Sequence, residues 1–347
     1  ALKEMGFNRI SLGVQSFDDS ILTSIGRVHR RQDVFQAIQM LEDVFGSAVN
    51  YSIDLISGLP GLSLALWTET LATAVSLHPR PNHISLYDLQ IEQGTVFGKW
   101  FDEIAEESDE ARRSPSKVTR GSVPAVTASG GVGALPSEED CAFMYKYAAG
   151  YLRARGYEHY EVSSYAYIGE PNIDTSETRS KSPYRSQHNQ IYWDTDGQWY
   201  ALGLGATSFV NGILTAHPRR MVEYQQWVQK EYETLQEKVT SMEQDPSVGS
   251  SGEEMDPHDF LTDVIMKRLR TSDGLDLSWI EKNYGEDCLD LVLKGAELGL
   301  DLGLMTIVPK SEGIVDSNKS VLRLKDPDGF LFSNNLISSI FVELDGV

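Results

Sequence analysis

Hydrophobic and polar positions along the first hundred residues fall into two alternating patterns. Short apolar runs at Asn8–Val14, Tyr51–Ile56 and His83–Ile91 read as strands. Between them, Ser20–Gly26 and Asp33–Phe45 read as helices, the second with Val34, Phe35, Ile38, Leu41 and Phe45 on one face. Ser63 stands where an N-cap would, ahead of a helix carrying Trp67, Leu71, Ala74 and Val75. Strands alternating with amphipathic helices predict right-handed crossovers and a parallel sheet, hence an α/β layer or barrel. The opening Ala1-Leu2-Lys3-Glu4-Met5-Gly6 looks like the end of a helix stopping at glycine, so the sequence is expected to start inside a domain.

The pattern breaks after residue 100. Residues 101–136 run from acids through Arg112-Arg113-Ser114-Pro115 into a Gly/Ala/Ser/Val stretch, a composition that predicts a disordered insertion. Ser137–Arg155 resumes as a helix with Phe143, Tyr147 and Leu152 as expected apolar contacts. Glu170–Ser186 reads as a polar, mobile loop, Met221–Leu235 as a helix, and Lys238–Asp256 as an acidic linker. From Pro257, three helical stretches precede a strand pair, Leu304–Val308 and Val321–Leu324, and a last helix near Asn334–Val342. Helices followed by a hairpin resemble a winged-helix unit. The expected divisions are therefore 1–100, 101–136, 137–236, 237–256 and 257–347.

Composition narrows the function classes. Acids outnumber bases 51 to 30, a formal net charge of −21. Nucleic-acid binding draws its affinity from Lys and Arg, so a phosphate-backbone partner is not expected, and the winged-helix-like unit reads as a packing element or lid. The longest apolar candidate, Leu289–Val308, is broken by Asp290, Lys294, Glu297 and Asp301, too many charges for a membrane span. Two cysteines, Cys141 and Cys288, allow neither a disulfide framework nor a CxxC metal clasp. A reduced, soluble, intracellular protein is expected.

Polar residues fall where parallel sheets bind ligands. Gln15, Asp54 and Gln90/Glu92 each lie at or near the carboxyl end of a strand, and the loop Ser57-Gly58-Leu59-Pro60-Gly61 follows the second. Taken singly, each reads equally well as a cap or turn former. Several at one edge favour a site.

Six stretches, in order, carry a resemblance. They are Gly6-Phe7-Asn8-Arg9-Ile10-Ser11-Leu12-Gly13-Val14-Gln15-Ser16-Phe17, Ser52-Ile53-Asp54-Leu55-Ile56-Ser57-Gly58-Leu59-Pro60-Gly61, His83-Ile84-Ser85-Leu86-Tyr87, Glu92-Gln93-Gly94-Thr95, Tyr160-Glu161-Val162-Ser163-Ser164-Tyr165-Ala166 and His188-Asn189-Gln190-Ile191-Tyr192-Trp193. Together they resemble the oxygen-independent coproporphyrinogen III oxidase family of radical S-adenosylmethionine proteins, HemN and its relative HemW. The resemblance implies the C-terminal half of a partial (β/α)6 barrel, with a small α+β winged-helix-like domain after it. It implies that Gln15, Arg27, Asp54, Gln90 and Tyr160 surround S-adenosylmethionine, whose charged groups call for a carboxylate, a cation and amide donors. It also implies a [4Fe–4S] cluster, but the family's CxxxCxxC is not in this sequence, and two distant cysteines cannot supply the thiolates. As given, the chain is not expected to assemble the cluster or cleave the cofactor, and a truncated family member is the expected explanation.

HNxxYW marks the HemW branch, which is understood to bind haem and pass it to acceptor proteins. The resemblance thus implies His188 as an axial ligand to haem iron, with Tyr192 and Trp193 packing on the porphyrin. Without it, His188 reads as a cap and the two aromatics as core. The sequence departs from many relatives in Leu202-Gly203-Leu204-Gly205-Ala206-Thr207-Ser208, where Thr207 stands in place of a histidine. Two alternatives stay open: an oxygen-independent coproporphyrinogen III oxidase, and a non-catalytic interaction protein on a decayed barrel. Haem and haem-accepting proteins are the expected partners, in cytoplasm, mitochondrion or plastid.

Overall fold

The computed structural model describes residues 1–91, 98, 133–169, 181–195, 197–244, 256–309 and 320–345, with side chains left aside over 235–244. The expected disordered insertion lies outside these residues up to 132, as do most of the expected linker and residues 170–180 of the expected mobile loop. The chain forms two compact units, one of Ala1–Ser186 with Arg270–Val347 and one of Gln187–Leu269. This grouping differs from the sequence-based divisions: most of the C-terminal module packs as one body with the N-terminal sheet, and its first helix does not.

The first unit is built on β1 (Ile10–Gln15), β2 (Tyr51–Ser57) and β3 (His83–Asp88), all parallel. Between them run α1 (Asp19–Ser24), α2 (Arg31–Phe45) and α3 (Leu64–Val75), close to the predicted bounds. Ser63 caps α3 as expected, its side chain accepting from the Leu66 amide. After α4 (Glu138–Arg153), β4 (Tyr157–Glu161) and β5 (Ser164–Tyr167) complete an open five-stranded sheet in the order β1-β2-β3-β5-β4. β5 runs antiparallel to both of its neighbours.

Alternation along each strand gives the sheet two unlike faces. Val14, Ile53, Leu55, Ile84 and Leu86 are buried in the core with Ile38 of α2 and Trp67 and Leu71 of α3. Trp67 also donates from Nε1 to the Met144 carbonyl of α4 at 2.9 Å. The buried face of α4 is Cys141, Met144, Ala148 and Leu152, at helical spacing. Of its three expected contacts, Leu152 is buried there and Tyr147, half-buried, packs against the core; Phe143 is 48% exposed, because it falls on the opposite side of that stripe.

The C-terminal part of this unit has β8 (Leu275–Asp276), α8 (Leu277–Tyr284), α9 (Glu286–Asp301), β9 (Met305–Pro309), β10 (Ser320–Leu324), α10 (Asp328–Leu331) and α11 (Ser333–Leu344). Its sheet is antiparallel in the order β8-β10-β9; β9 and β10 match the expected strand pair, and β8 adds a short third strand. α9 and α11 pack closely through Gly295, where an added Cβ would lie 2.5 Å from the Ile340 Cα.

The second unit contains α5 (Gln187–Trp193), the hairpin β6 (Thr207–Val210) and β7 (Ile213–Ala216), α6 (Met221–Gln244) and α7 (Pro257–Leu269). Asn211 and Gly212 both have positive φ, 53° and 77°, as a two-residue hairpin turn of this hand requires. α6 runs to Gln244, beyond the expected end at Leu235 and into the expected linker. No described helix is long and apolar enough to cross a membrane.

Two glycine substitutions test this packing. Gly150 is exposed on α4 with nothing within 4 Å of an added Cβ, so Gly150→Ala should stabilise the protein by roughly 0.5–1 kcal/mol. Gly295→Ala should destabilise it by roughly 1–3 kcal/mol, because helix backbone must move. Urea unfolding midpoints check both; equal shifts would show that α9 and α11 do not pack as described.

Candidate functional site

The face of the first sheet opposite the core is polar. Ser11, Gly13 and Gln15 of β1, Ser52 and Asp54 of β2, and His83, Ser85 and Tyr87 of β3 follow at alternate positions. Register sets Ser11 beside Ser52 and Ser52 beside His83; Gly13 pairs with Asp54, and Asp54 with Ser85. A hydroxyl chain crosses this face, with Ser52 Oγ donating to Ser11 Oγ at 2.9 Å and Ser11 Oγ to Asp54 Oδ2 at 3.2 Å.

At the carboxyl end of β1 the strand bulges between Gly13 and Gln15, and Gln15 takes φ 67°. An added Cβ on Gly13 would lie 2.9 Å from Gln15 Nε2 and 3.3 Å from Arg27 Nη2. Glycine therefore lets an amide and a guanidinium meet over the strand, where Arg27 Nη2 donates to the Gly13 carbonyl at 3.2 Å. Gln15 is half-buried and Arg27 exposed. His29 Nε2 lies 3.1 Å from the Val14 carbonyl, so the segment after α1 is held against the end of β1. Asp54 is half-buried one strand away. The structure thus gathers Gln15, Arg27 and Asp54 at one sheet edge, a set with one cation, one carboxylate and one amide. Gln90 is exposed two residues beyond β3.

Tyr160 is placed differently from a residue open to a ligand. It is 1% exposed; its hydroxyl is 2.8 Å from His83 Nε2 and accepts from the Ser186 amide at 3.1 Å. Burial pushes this hydroxyl up to about 12. The same burial, assisted by the charge of Arg9, pushes His83 down to about 3, so its imidazole is neutral at physiological pH.

The end of the expected mobile loop, 181–186, is firmly held. Arg185, buried, donates from Nε to Glu158 Oε2 at 3.1 Å and from Nη1 to Asp273 Oδ1 at 3.2 Å, and its guanidinium lies 5.2 Å over the Tyr160 ring. Lys181 also pairs with Asp273, at 2.8 Å. Ser182 donates to the Tyr167 carbonyl at 2.6 Å. A polar sequence reads as mobile until its ion-pair partners, 27 and 88 residues away, are known.

In the second unit, α5 carries His188 and Tyr192 one turn apart, ring centroids 5.2 Å and edge to face. His188 is exposed, and neither ring nitrogen makes a hydrogen bond to a described residue. Tyr192 continues to Trp199 at 4.6 Å, Trp199 to Phe209 at 5.1 Å, and Lys267 stands 5.2 Å over the Phe209 ring. Trp193 is half-buried on the same helix. Thr207, the departure from the family pattern, has its carbonyl bonded by Trp199 Nε1 at 2.9 Å.

Cys141 sits in α4 and Cys288 in α9, with no disulfide between them. Among the described residues, no group of three or more His, Cys, Asp or Glu is arranged to hold a metal ion. Sequence reasoning passed over Arg9, His83 and Tyr87. Their signal was available: polar residues at every second position of three consecutive strands mark one polar face.

Comparison with known proteins agrees with this architecture. A radical SAM superfamily family model matches residues 1–74. The chain is 29% identical over 349 residues to the heme chaperone HemW of Synechocystis, covering 99% of this chain and 70% of that protein. It is 31% identical over 216 residues to the heme chaperone HemW of Bacillus subtilis, covering 62% of this chain and 45% of that one. In structure it is similar to the coproporphyrinogen III oxidase HemN of Escherichia coli, with a TM-score of 0.59, 18% identity, and coverage of 98% of this chain and 65% of that chain. The chain therefore spans under half the length of one of these relatives and about two thirds of the others. With the parallel strands, crossover helices and polar strand ends in place, the chain is similar to the HemW/HemN-like radical S-adenosylmethionine proteins and shares the HemN fold.

Proposed function

We propose that this chain is part of a HemW-like protein that binds haem on the second unit, holds S-adenosylmethionine at the sheet edge of the first, and passes haem to acceptor proteins. The observation that carries the haem reading is His188, an exposed imidazole with neither nitrogen bonded to a described residue, one helical turn from Tyr192 and the aromatic series behind it. A neutral imidazole is an ordinary axial ligand for haem iron, and Tyr192 and Trp193 offer ring surface beside it. Likeness to the HemW proteins supports the reading from a second side. Coproporphyrinogen oxidation is the alternative, and likeness to HemN supports the shared fold.

The residues at the sheet edge fit S-adenosylmethionine by their chemistry. Asp54 can accept from ribose hydroxyls or an ammonium, Arg27 can pair with a carboxylate, and Gln15 can do either. Gly13 keeps the space between Gln15 and Arg27 clear. When bound beside a reduced iron–sulfur cluster, this cofactor supplies radical chemistry. The two thiols of this sequence do not fit such a cluster, since each sits in its own helix and three ligands are the least it takes. What these residues do is bind and orient. Such a protein would work inside the cell, where its two thiols remain reduced.

Titration of haemin into the protein tests the first site. His188→Ala should weaken binding by about tenfold or more and shift the Soret band, whereas Tyr192→Ala and Trp193→Ala should weaken it less and leave the band in place. Haem bound by His188→Ala with the parent's affinity and spectrum would move the site elsewhere.

Calorimetric titration with S-adenosylmethionine tests the second. Asp54→Asn removes a charge that accepts hydrogen bonds typically worth ~1.5–3 kcal/mol, so affinity should fall roughly tenfold or more. Unchanged affinity in a folded variant would show that Asp54 lies outside the pocket.

A further inference from the structure

The link between α1 and α2 is bonded to the end of β1 at two successive carbonyls. Gly13 pairs with Asp54 and Gln15 with Leu55, so Val14 is the extra residue of the bulge. Arg27 Nη2 donates to the Gly13 carbonyl at 3.2 Å, and His29 Nε2 lies 3.1 Å from the Val14 carbonyl. The Val14 carbonyl also accepts from the Ser16 amide at 2.8 Å. A carbonyl only accepts, so His29 carries a proton on Nε2 and donates it. Val28, between the two, is 96% exposed. The link therefore presents alternate side chains to the bulge and turns the one between them outward.

The same few residues are braced among themselves. Arg30 Nη1 donates to the Arg27 carbonyl at 2.7 Å and to the His29 carbonyl at 2.8 Å. The Arg31 amide donates to Asp19 Oδ1 at 2.7 Å, which ties the start of α2 to α1. An exposed arginine on a free loop samples many rotamers, and ordering it is part of what binding must offset. Here the main chain that carries Arg27 is already fixed, and His29 fixes it to the strand whose end the ligand meets. Arg27 is also the one group of the Gln15–Arg27–Asp54 set whose charge is complementary to a carboxylate.

We propose that His29 is a positioning residue for the S-adenosylmethionine edge. By bonding the bulge carbonyl of Val14, it holds the Arg27 guanidinium where the carboxylate at the amino-acid end of the cofactor pairs with it. The inference rests on the reading of that edge given above and adds a residue that acts through Arg27 without touching the ligand. Its effect is confined to one part of the ligand, because Asp54 and Gln15 stand on the strands themselves and do not depend on the link.

Calorimetric titration of the full 347-residue chain with S-adenosylmethionine and with its decarboxylated form tests this. His29→Ala should weaken S-adenosylmethionine by roughly threefold to tenfold, about what one neutral hydrogen bond contributes. The decarboxylated form keeps adenine, ribose, sulfonium and amine but gives Arg27 nothing to pair with, so its affinity should change by less than about twofold. His29→Gln, whose side-chain amide can donate to the same carbonyl, should restore most of the loss. In an Arg27→Ala background, His29→Ala should add nothing, because the two act through one contact. If His29→Ala does not fold, His29→Asn, a shorter polar replacement, is compared with His29→Gln on the same two probes. Equal weakening of both probes would overturn the proposal and make His29 a structural residue of the link. Parent-like affinity of a folded His29→Ala variant, with Arg27→Ala weakened, would overturn this inference and leave the reading of the edge standing. Absence of binding by the parent, or parent-like binding by Arg27→Ala, would remove that reading and the proposal with it.

Discussion

Burial of one face of the β1-β2-β3 sheet is the constraint on which the rest depends. Val14, Ile53, Leu55, Ile84 and Leu86 can leave water only if α2, α3 and α4 cover them, and Trp67 fixes α3 to α4 through Met144. At about 25 cal/mol per Å² of apolar surface, this burial dominates the favourable terms for the unit. Once it is satisfied, the pleat leaves no choice about the other face. Every residue between two core positions must point there, and Ser11, Asp54, His83 and Tyr87 do. The candidate site of this unit lies on the second face of a sheet whose first face is the core.

This accounts for what was legible in the sequence. Strands and helices up to residue 91 matched closely because each has a clear period and a local stop, such as the Ser63 cap or the glycine after α2. Gln15 and Asp54 stood out in the sequence because polar residues at strand ends are few. Arg9 and His83 lay inside quoted motifs without being singled out, since what sets them apart is an unpaired nitrogen. An unpaired donor is a property of the surroundings, and surroundings are set by β5, β4 and the loop at 181–186, which are distant in sequence.

The misread segments follow the same rule. Residues 181–186 looked mobile because Arg185 and Lys181 are polar, yet Arg185 is buried between Glu158 and Asp273. Ion pairs that span long stretches of chain leave no local pattern. Phe143 looked like core by residue type, but the buried stripe of α4 runs through smaller residues, Cys141, Met144 and Ala148. Position on the helix decided it. Tyr160, assigned by resemblance to a cofactor, has its hydroxyl engaged by His83 and the Ser186 amide.

The polar groups of the first unit divide into two kinds, and the division is informative. Arg185 has every partner it needs: two carboxylates, the Ser272 hydroxyl at 3.2 Å and an aromatic face. Its opposing charges hold its proton firmly despite burial, so it serves as a fixed structural clasp on β4. Arg9, the same residue type in the same unit, has no ion pair among the described residues, and its Nε has no hydrogen-bond partner. A buried network that is complete specifies a fold, whereas one that is incomplete leaves donors for something else to satisfy. Tyr160 touches both kinds, lying under Arg185 and bonding His83. The clasp therefore holds in place the tyrosine that fixes the His83 ring. A polar face backed by such support keeps its side chains in place, as a preorganised binding site requires.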